Sequence, residues 1–268
     1  MTTGALIFAF NNEHTDYVRM AAWSAANIRR HLDIPVAVVT NTPEQASSYS
    51  SIDQVIAAPS ASGGTRWFED YAATVTWHNA SRIDAYHLSP WDRTLVLDAD
   101  YVVAGPQLQQ LTCSQQDFVC HRWAMDMTTG QTPTELNSFG RYRMPMYWAT
   151  VMMFGRNNTA QYVFDSMAMI RNNWQHYRDL YHIDQSTYRN DFALSIALGI
   201  VSGHTNTVDT VPWPLVSVMP DHQLLQIDQD HFNVIYRNSK NQQCCVSWSG
   251  FDFHAMGKQH LEKIIASH

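Results

Sequence analysis

The sequence predicts an α/β protein in which a mixed, mainly parallel central sheet is flanked by helices. Short apolar runs rich in β-branched residues alternate with stretches whose apolar residues recur at helical spacing, which is typical of strand–helix–strand units. Hydrophobic residues make up 45% and charged residues 15% of the 268 residues, the composition of an ordinary globular protein. No linker-like stretch interrupts the chain, so we expect a single domain.

The N-terminal strand–helix–strand unit is the clearest part of this pattern. Residues 5–10 form an apolar run that ends at polar residues, which indicates a buried strand followed by a loop. Thr15 or Asp16 can cap the helix that follows, and residues 36–39 are predicted to form the next strand.

The same signals predict the remaining elements. A long helix is expected to run from Phe68 to Leu88 and to end before Pro90, after a loop of small residues at 60–64. Further strands are expected at 54–58, 94–97, 118–123 and 149–154, and further helices at 163–177, at 186–198 and in the segment that ends at Ile265.

Charge and cysteine content limit the classes of partner and compartment. The formal net charge of −7 argues against a broad electrostatic grip on nucleic acid, although a local basic groove stays open. The four cysteines show no CxxC spacing, which favours reduced thiols in a cytoplasmic protein. Neither a secretory leader nor an apolar run of membrane-spanning length is recognisable, so we expect no membrane span.

Asp98 and Asp100 are the residues that indicate chemistry. They stand two apart at the end of the predicted strand 94–97, so their side chains project from the same face. Two acids beside an apolar run must be neutralised, and ligands of open α/β sheets bind beyond the strand ends. A hard divalent cation bridging to a diphosphate satisfies both demands. The alternative is an ordinary strand end followed by a turn.

The segment from Arg82 to Asp100 resembles the helix, loop and strand that lead into the metal site of family eight glycosyltransferases, such as glycogenin and lipopolysaccharide galactosyltransferases. This resemblance implies a GT-A fold, a hexosyl- or pentosyltransferase activity with retention, a UDP-linked sugar donor, and Mn²⁺ or Mg²⁺. It implies that Asp98 and Asp100 hold the metal, with Ala99 between them at the donor. Arg82 would also contact the donor; a solvated helix charge is the alternative.

Two further segments resemble the same family. At the N-terminus, the first strand and the loop after it resemble the strand and loop that hold the uridine in these enzymes. This implies donor contacts for Ala9, Phe10, Asn11 and Tyr17. Near the other end, residues 253–258 resemble the family's His-Phe-x-Gly-x-x-Lys segment with a shortened spacing. There His254 would be a third metal ligand, Gly257 would allow close backbone approach and Lys258 would meet a phosphate.

The catalytic residues are predicted in the second half of the chain. Asp184 and Gln185 resemble the Asp-Gln pair near the reacting sugar, and Asp191 is a second acid close by. Capping of the helix at 186–198 is the alternative role for Asp184. The resemblance thus assigns donor binding to residues 1–103 and acceptor binding with catalysis to residues 104–268.

Other functions stay open beside this prediction. A protein that binds a sugar-nucleotide or a partner without turnover could keep the same fold. A nucleotidyltransferase also uses paired acids, but such enzymes carry a Gly-Ser turn where this chain has Ser89-Pro90. The acceptor is not identified, and a glycan, a protein, a lipid or a modified DNA base would all be compatible. A DNA acceptor would need a basic face, which Arg141 and Arg143 beside Tyr142 and Tyr147 could begin; a solvated loop is the alternative.

Overall fold

The structure, a computed structural model, describes residues 2–58, 65–68, 72–76, 78, 80–133, 136–205 and 208–267. Its strands are β1 Thr3–Phe8, β2 Val36–Thr40, β3 Gln54–Ala57, β4 Thr65–Phe68, β5 Ala73–Thr76, β6 Arg93–Leu97, β7 Tyr101–Val102, β8 Phe118–His121, β9 Ala124–Asp126, β10 Ser138–Phe139, β11 Met144–Pro145, β12 Trp148–Gly155, β13 Leu215–Val218, β14 Gln223–Asp228, β15 His231–Arg237, β16 Gln243–Ser249 and β17 Phe253–Ala255. Its helices are α1 Tyr17–Leu32, α2 Pro43–Ser47, α3 Ala85–Leu88, α4 Gln109–Thr112, α5 Asn158–Asn172, α6 Trp174–Leu180, α7 Asn190–Val201 and α8 Lys258–Ala266.

The predicted α/β fold with a mixed, mainly parallel central sheet is confirmed. Six strands form this sheet in the order β3-β2-β1-β6-β12-β8. Strands β3, β2, β1 and β6 are parallel, whereas β12 runs antiparallel to both of its neighbours. The residues of β2, β6, β8 and β12 are all buried, as expected for strands covered by helices on both faces.

Helix α1 joins β1 to β2 as predicted. Asp16 caps it by accepting a hydrogen bond from the Arg19 amide at 3.0 Å, which satisfies one of the free donors of the first turn. Its buried face consists of small and aliphatic residues, among them Ala21, Ala25 and Ile28. A helix with such a stripe packs closely on the sheet and turns its arginines outward.

The prediction of a long helix from Phe68 to Leu88 is wrong. Strand β5 occupies residues 73–76 and pairs antiparallel with β4, since Thr74, Val75 and Thr76 favour an extended chain. Among the described residues of this segment, helical structure is limited to a 3-10 turn at Ala80–Asp84 and the short helix α3. The predicted loop at 60–64 lies outside the described residues. The helix predicted at 186–198 begins later, at Asn190.

The later part of the chain adds smaller sheets. A four-stranded sheet has the order β7-β17-β13-β9, and it brings β17 from near the C-terminus against β7, which directly follows Asp100. Strands β14, β15 and β16 form a three-stranded antiparallel sheet that we did not predict. Among the helices that the described residues form, none combines the length and the hydropathy needed to cross a lipid bilayer.

Candidate metal and donor site

The two acids lie directly beyond the carboxyl end of β6. The turn that carries them is fixed by backbone hydrogen bonds, with the Tyr101 amide donating to the Asp98 carbonyl at 3.0 Å and the Asp98 amide donating to Thr150 of β12 at 3.0 Å. Asp100 is buried, with 6% of its surface exposed, whereas Asp98 is half-buried. Both side chains are therefore held at the sheet edge where open α/β folds bind ligands.

Strand β17 and the start of α8 bring a histidine and a lysine to Asp100. The antiparallel pairing of β17 with β7 sets His254 opposite Tyr101, and the Ala255 amide donates to the Asp100 carbonyl at 3.0 Å. His254 Nε2 lies 3.4 Å from Asp100 Oδ2, and Lys258 Nζ forms an ion pair with the same oxygen. Both predicted C-terminal residues thus contact Asp100.

Asp98, Asp100 and His254 form a group that could hold a metal ion. Each offers one ligand atom, and these atoms all lie within 4.8 Å of one another. The Nδ1 atom of His254 is buried without a hydrogen-bond partner in the part of the chain that the structure describes, so the imidazole has capacity for a further ligand. Two carboxylates with one imidazole form a mixed oxygen and nitrogen donor set, which fits Mg²⁺ or Mn²⁺.

Arg82 links Asp98 to strand β12. It sits on the 3-10 turn rather than on a long helix, and only 4% of its surface is exposed. One guanidinium nitrogen forms an ion pair with Asp98, and another donates to the Ala149 carbonyl at 3.0 Å. A buried arginine in this position is part of the site's structure and not a solvated helix charge.

Asp191 belongs to the same network. Its Oδ1 accepts a hydrogen bond from the Ala149 amide at 3.0 Å, and its Oδ2 accepts one from Arg189 at 2.7 Å. Ala149 therefore binds Asp191 through its amide and Arg82 through its carbonyl. Sequence reasoning did not single out Arg189, because nothing in the local pattern separates it from a solvated charge.

The charges of these groups hold the acids ionised despite their burial. Burial raises the pKa of Asp100, but Lys258 and His254 outweigh it and keep that pKa well below its usual range. Burial likewise raises the pKa of Asp191. Arg189, the Ala149 amide and Arg82 lower it by more than burial raises it, so the net shift is downward. Burial lowers the pKa of the Arg82 guanidinium, which Asp191 and Asp100 partly restore.

Asp184 and Gln185 do not contact the residues of this network in the described chain. Both are exposed, on the segment before α7, and neither makes a hydrogen bond or ion pair with the other described residues. Asp184 does not cap the helix either, because α7 begins at Asn190 with Arg189 as its N-cap. Of the three predicted catalytic residues, Asp191 alone contacts the residues around Asp98 in the described chain.

The predicted donor-binding loop after β1 lies beside the acids. Parallel pairing sets Ile7 opposite Leu97, so the two strands end at the same edge of the sheet. Asn11 accepts a hydrogen bond from the Val18 amide at 3.0 Å and donates to Gln45 at 2.9 Å, which ties the loop to α1 and α2. The remaining predicted residues of this loop are buried or half-buried: Ala9, Phe10 and Tyr17.

Gly257 precedes α8, where the backbone passes close to another segment. A Cβ atom at this position would lie 3.2 Å from the Pro220 carbonyl oxygen, so a larger residue would need the Pro220 backbone to shift by a few tenths of an ångström. Ala99, between the two acids, is buried with 6% of its surface exposed.

Asp252 fastens the segment before His254 to the segment after β7. Its Oδ1 accepts hydrogen bonds from the Ala104 amide at 2.9 Å and the Gly105 amide at 3.0 Å. Its Oδ2 is buried without a partner among the described residues. Burial raises the pKa of this carboxyl to about 7, although the two amides lower it.

Asp252→Asn is expected to remove a pH dependence of stability. Above the ordinary pKa of 3.8 the unfolded chain releases this proton, whereas the folded chain keeps it up to about 7. The free energy of unfolding should therefore fall by up to about 4 kcal/mol between those pH values, and this fall should be absent in the variant. Urea unfolding over a pH series measures it, with the exposed Asp228→Asn as the matched control. Parallel curves for wild type and Asp252→Asn would contradict the assignment.

Comparison with known proteins places glycosyltransferases among the similar structures. No protein-family model matches the chain, and no curated protein matches it. The glycosyltransferase GlyE of Streptococcus pneumoniae TIGR4 matches at 13% identity and a TM-score of 0.44, over 79% of this chain and 46% of GlyE. The galactosyltransferase LgtC, in complex with donor and acceptor sugar analogues, matches at 13% identity and a TM-score of 0.49, over 78% of this chain and 73% of LgtC.

The bifunctional IspDF from Campylobacter jejuni also matches, at 8% identity and a TM-score of 0.42, over 79% of this chain and 49% of IspDF. The chain thus spans about half the length of GlyE and of IspDF. Glycosyltransferases are among the solved structures that this chain resembles, as the sequence motifs led us to expect. The activity itself is argued below from the residues of the site.

Proposed function

We propose that this chain is a metal-dependent glycosyltransferase that moves a sugar from a nucleotide-sugar onto an acceptor. One observation carries this proposal: Asp98, Asp100 and His254 converge at the carboxyl edge of the central sheet. A divalent cation held there would act as a Lewis acid for a leaving diphosphate. We further propose that Mn²⁺ or Mg²⁺ is the ion and that the donor is UDP-linked.

The charges around the acids fit a metal together with a diphosphate. Asp98 and Asp100 are already balanced by Arg82 and Lys258, so an added divalent ion alone would leave the buried site with excess positive charge. A diphosphate brings roughly equal negative charge, and the combined ligand keeps the site neutral. Arg82 and Lys258 would then be able to face phosphate oxygens as well as carboxylates.

The donor would lie across the ends of β1 and β6. We propose that Ala9, Phe10, Asn11 and Tyr17 hold the uridine, with Asn11 fixing the loop through its bonds to Val18 and Gln45. The chain would work as one domain, with residues 1–103 binding the donor and residues 104–268 binding the acceptor.

In the reaction, the bond between the sugar carbon and the diphosphate oxygen breaks, and its electron pair leaves with the diphosphate. A bond forms from an acceptor hydroxyl oxygen to the sugar carbon, and the hydroxyl proton passes to water. Lys258, the first residue of α8, would stabilise charge on the leaving oxygen, and Gly257 would allow the diphosphate to approach the start of this helix. Asp191 would stabilise the positive sugar carbon. It accepts a hydrogen bond from the Ala149 amide, and the Ala149 carbonyl accepts one from Arg82, which pairs with Asp98. Retention, and transfer of a hexose or a pentose, follow from the resemblance to family eight.

A second candidate function is binding of a sugar-nucleotide without turnover. The exposure of Asp184 and Gln185, which make no contact with the site in the described chain, favours it. A nucleotidyltransferase has no comparable observation in its favour.

Release of nucleoside diphosphate tests the proposal. Purified protein is incubated with Mn²⁺ and each member of a panel of nucleotide-sugars, with and without a chelator. We expect one donor to be cleaved slowly by water and the chelator to abolish the reaction, because the acids alone cannot stabilise the leaving group. Binding of a donor without cleavage under any metal would support the second candidate instead.

Asp191→Asn and Asp184→Asn distinguish the two predicted catalytic acids. Because Asp191 is half-buried and bonded to Arg189 and Ala149, its neutralisation should lower kcat for donor cleavage by about 100-fold or more. Asp184→Asn should change kcat by less than about threefold, since that side chain is exposed. Steady-state kinetics under saturating Mn²⁺ measures both, and the reverse ranking would reassign the role to Asp184.

A further inference from the structure

Residues 140–143, which we call the hairpin tip, join β10 to β11 and are held in a defined shape. Gly140 has φ of 66°, and a Cβ atom there would lie 2.4 Å from the Tyr181 carbonyl oxygen. The Arg141 amide donates to the His182 carbonyl at 3.3 Å, and the rings of Tyr142 and His182 meet edge to face at 5.3 Å. The tip is therefore docked on residues 181–182 and is not simply a solvated loop.

The hairpin tip exposes uncompensated positive charge around an aromatic ring. Tyr142 is 63% exposed, and Arg141 and Arg143 on either side of it are also exposed. Neither guanidinium group makes a hydrogen bond or ion pair in the part of the chain that the structure describes. Tyr147 was also predicted to belong to this basic face, but it is buried, and the Arg122 guanidinium lies over its ring. In a chain with net charge −7, such a pair of exposed arginines offers an anionic partner a local positive site.

The hairpin tip extends from the edge of the sheet that carries the acids. Strand β11 leads through Met146 and Tyr147 into β12, and Thr150 of β12 accepts the hydrogen bond from the Asp98 amide. The chain from Tyr142 to Trp148 can span at most about 20 Å. The tip therefore lies within reach of the site of Asp98 and Asp100 for a polymer that extends over several units.

We infer that the hairpin tip binds the phosphodiester backbone of a nucleic-acid strand, so that a modified base of that strand, one that carries a hydroxyl group, is the acceptor. This inference rests on the proposed function, whose acceptor it specifies. Arginine forks match phosphate oxygens, and an exposed tyrosine between them offers a stacking surface for a base. An anionic glycan would use the arginines but would leave the tyrosine without a planar partner, and a neutral glycan would use neither arginine.

The test measures binding of a fluorescein-labelled single-stranded oligonucleotide by fluorescence anisotropy over a series of salt concentrations. Each phosphate contact contributes about 0.7 to the slope of log K against log salt for a single strand. The double variant Arg141→Ala, Arg143→Ala should therefore lower the slope by about 1.4. Tyr142→Ala should weaken binding by about tenfold or more at every salt concentration without changing the slope.

The matched control is the double variant Arg237→Ala, Lys240→Ala, which removes the same charge from the exposed turn between β15 and β16. It should keep the wild-type slope. The inference is overturned if the tip and control variants lose equal slope, if no oligonucleotide binds at low salt, or if hyaluronate competes as well as DNA at equal charge, which would assign the tip to anionic glycans.

Donor cleavage in the same variants separates this inference from the proposed function. Without acceptor, the tip variants should release nucleoside diphosphate at the wild-type rate, because the tip does not contact the acids. Tip-dependent DNA binding without cleavage of any donor would refute the transferase but support nucleic-acid binding. Donor cleavage without tip-dependent DNA binding would do the opposite.

Discussion

Replacing Asp100 by alanine is expected to lower metal-dependent release of nucleoside diphosphate by about a thousandfold or more. Asp100 is the centre of the site, since Lys258 and His254 both contact its Oδ2 and its carbonyl accepts the Ala255 amide. Its loss removes one of the three proposed metal ligands and also breaks the ion pair that Lys258 makes with it. Single-turnover release from the donor identified in the panel measures the effect.

Asp100→Asn and Asp228→Ala complete this experiment. The asparagine keeps the shape of the side chain but not its charge, so it should lose nearly as much activity while staying folded. Asp228 is an exposed acid on β14, and its loss should leave the rate within about twofold of wild type. A metal-dependent rate for Asp100→Asn close to that of wild type would remove Asp100 from the proposed metal site.

Replacing Arg82 by alanine is expected to lower the free energy of unfolding by about 3–5 kcal/mol. Arg82 is buried, pairs with Asp98 and donates to the Ala149 carbonyl. Without it, Asp98 loses this ion pair, and Asp191 loses one of the two arginines that offset its charge. Urea unfolding at neutral pH measures the change.

The exposed pair of Arg29 with Asp53 provides the control for Arg82. Its arginine side chain is 45% exposed, so Arg29→Ala should cost less than about 1 kcal/mol. The double variant Arg82→Ala, Asp98→Ala should be less destabilised than the sum of its single variants, because no buried charge is then stranded. Additive effects would mean that the ion pair does not dominate the role of Arg82.

The first half of the fold could be predicted because its signals are local. Strands β1, β2 and β6 are continuous apolar runs, and Asp16 precedes the stripe of α1 as a cap should. The position of the two acids followed from the same reasoning, since Asp98 begins where β6 ends. The helix predicted over residues 73–76 is wrong because three of these four residues are β-branched, and β-branched residues favour a strand.

The rest of the site depends on contacts between distant parts of the chain. Nothing near Arg82 in sequence indicates that it meets Ala149, and nothing near Asp191 separates it from Asp184. The strand pairing that brings His254 to Tyr101 decides which of thirteen histidines faces the acids. His254 and Lys258 were predicted from the resemblance to a family, whereas the residue pattern alone predicted only Asp98 and Asp100.

The contact between Lys258 and Asp100 joins residues 158 positions apart. Closing so long a loop is slow, because its entropy must be lost before any contact forms. During synthesis the central sheet can pair through β12 while the segment carrying His254 and Lys258 has still to emerge from the ribosome. We therefore expect a stage in synthesis at which the turn that carries Asp100 has formed before His254 and Lys258 can neutralise it. The ability to bind a charged ligand would then report that the contacts between these distant segments have formed.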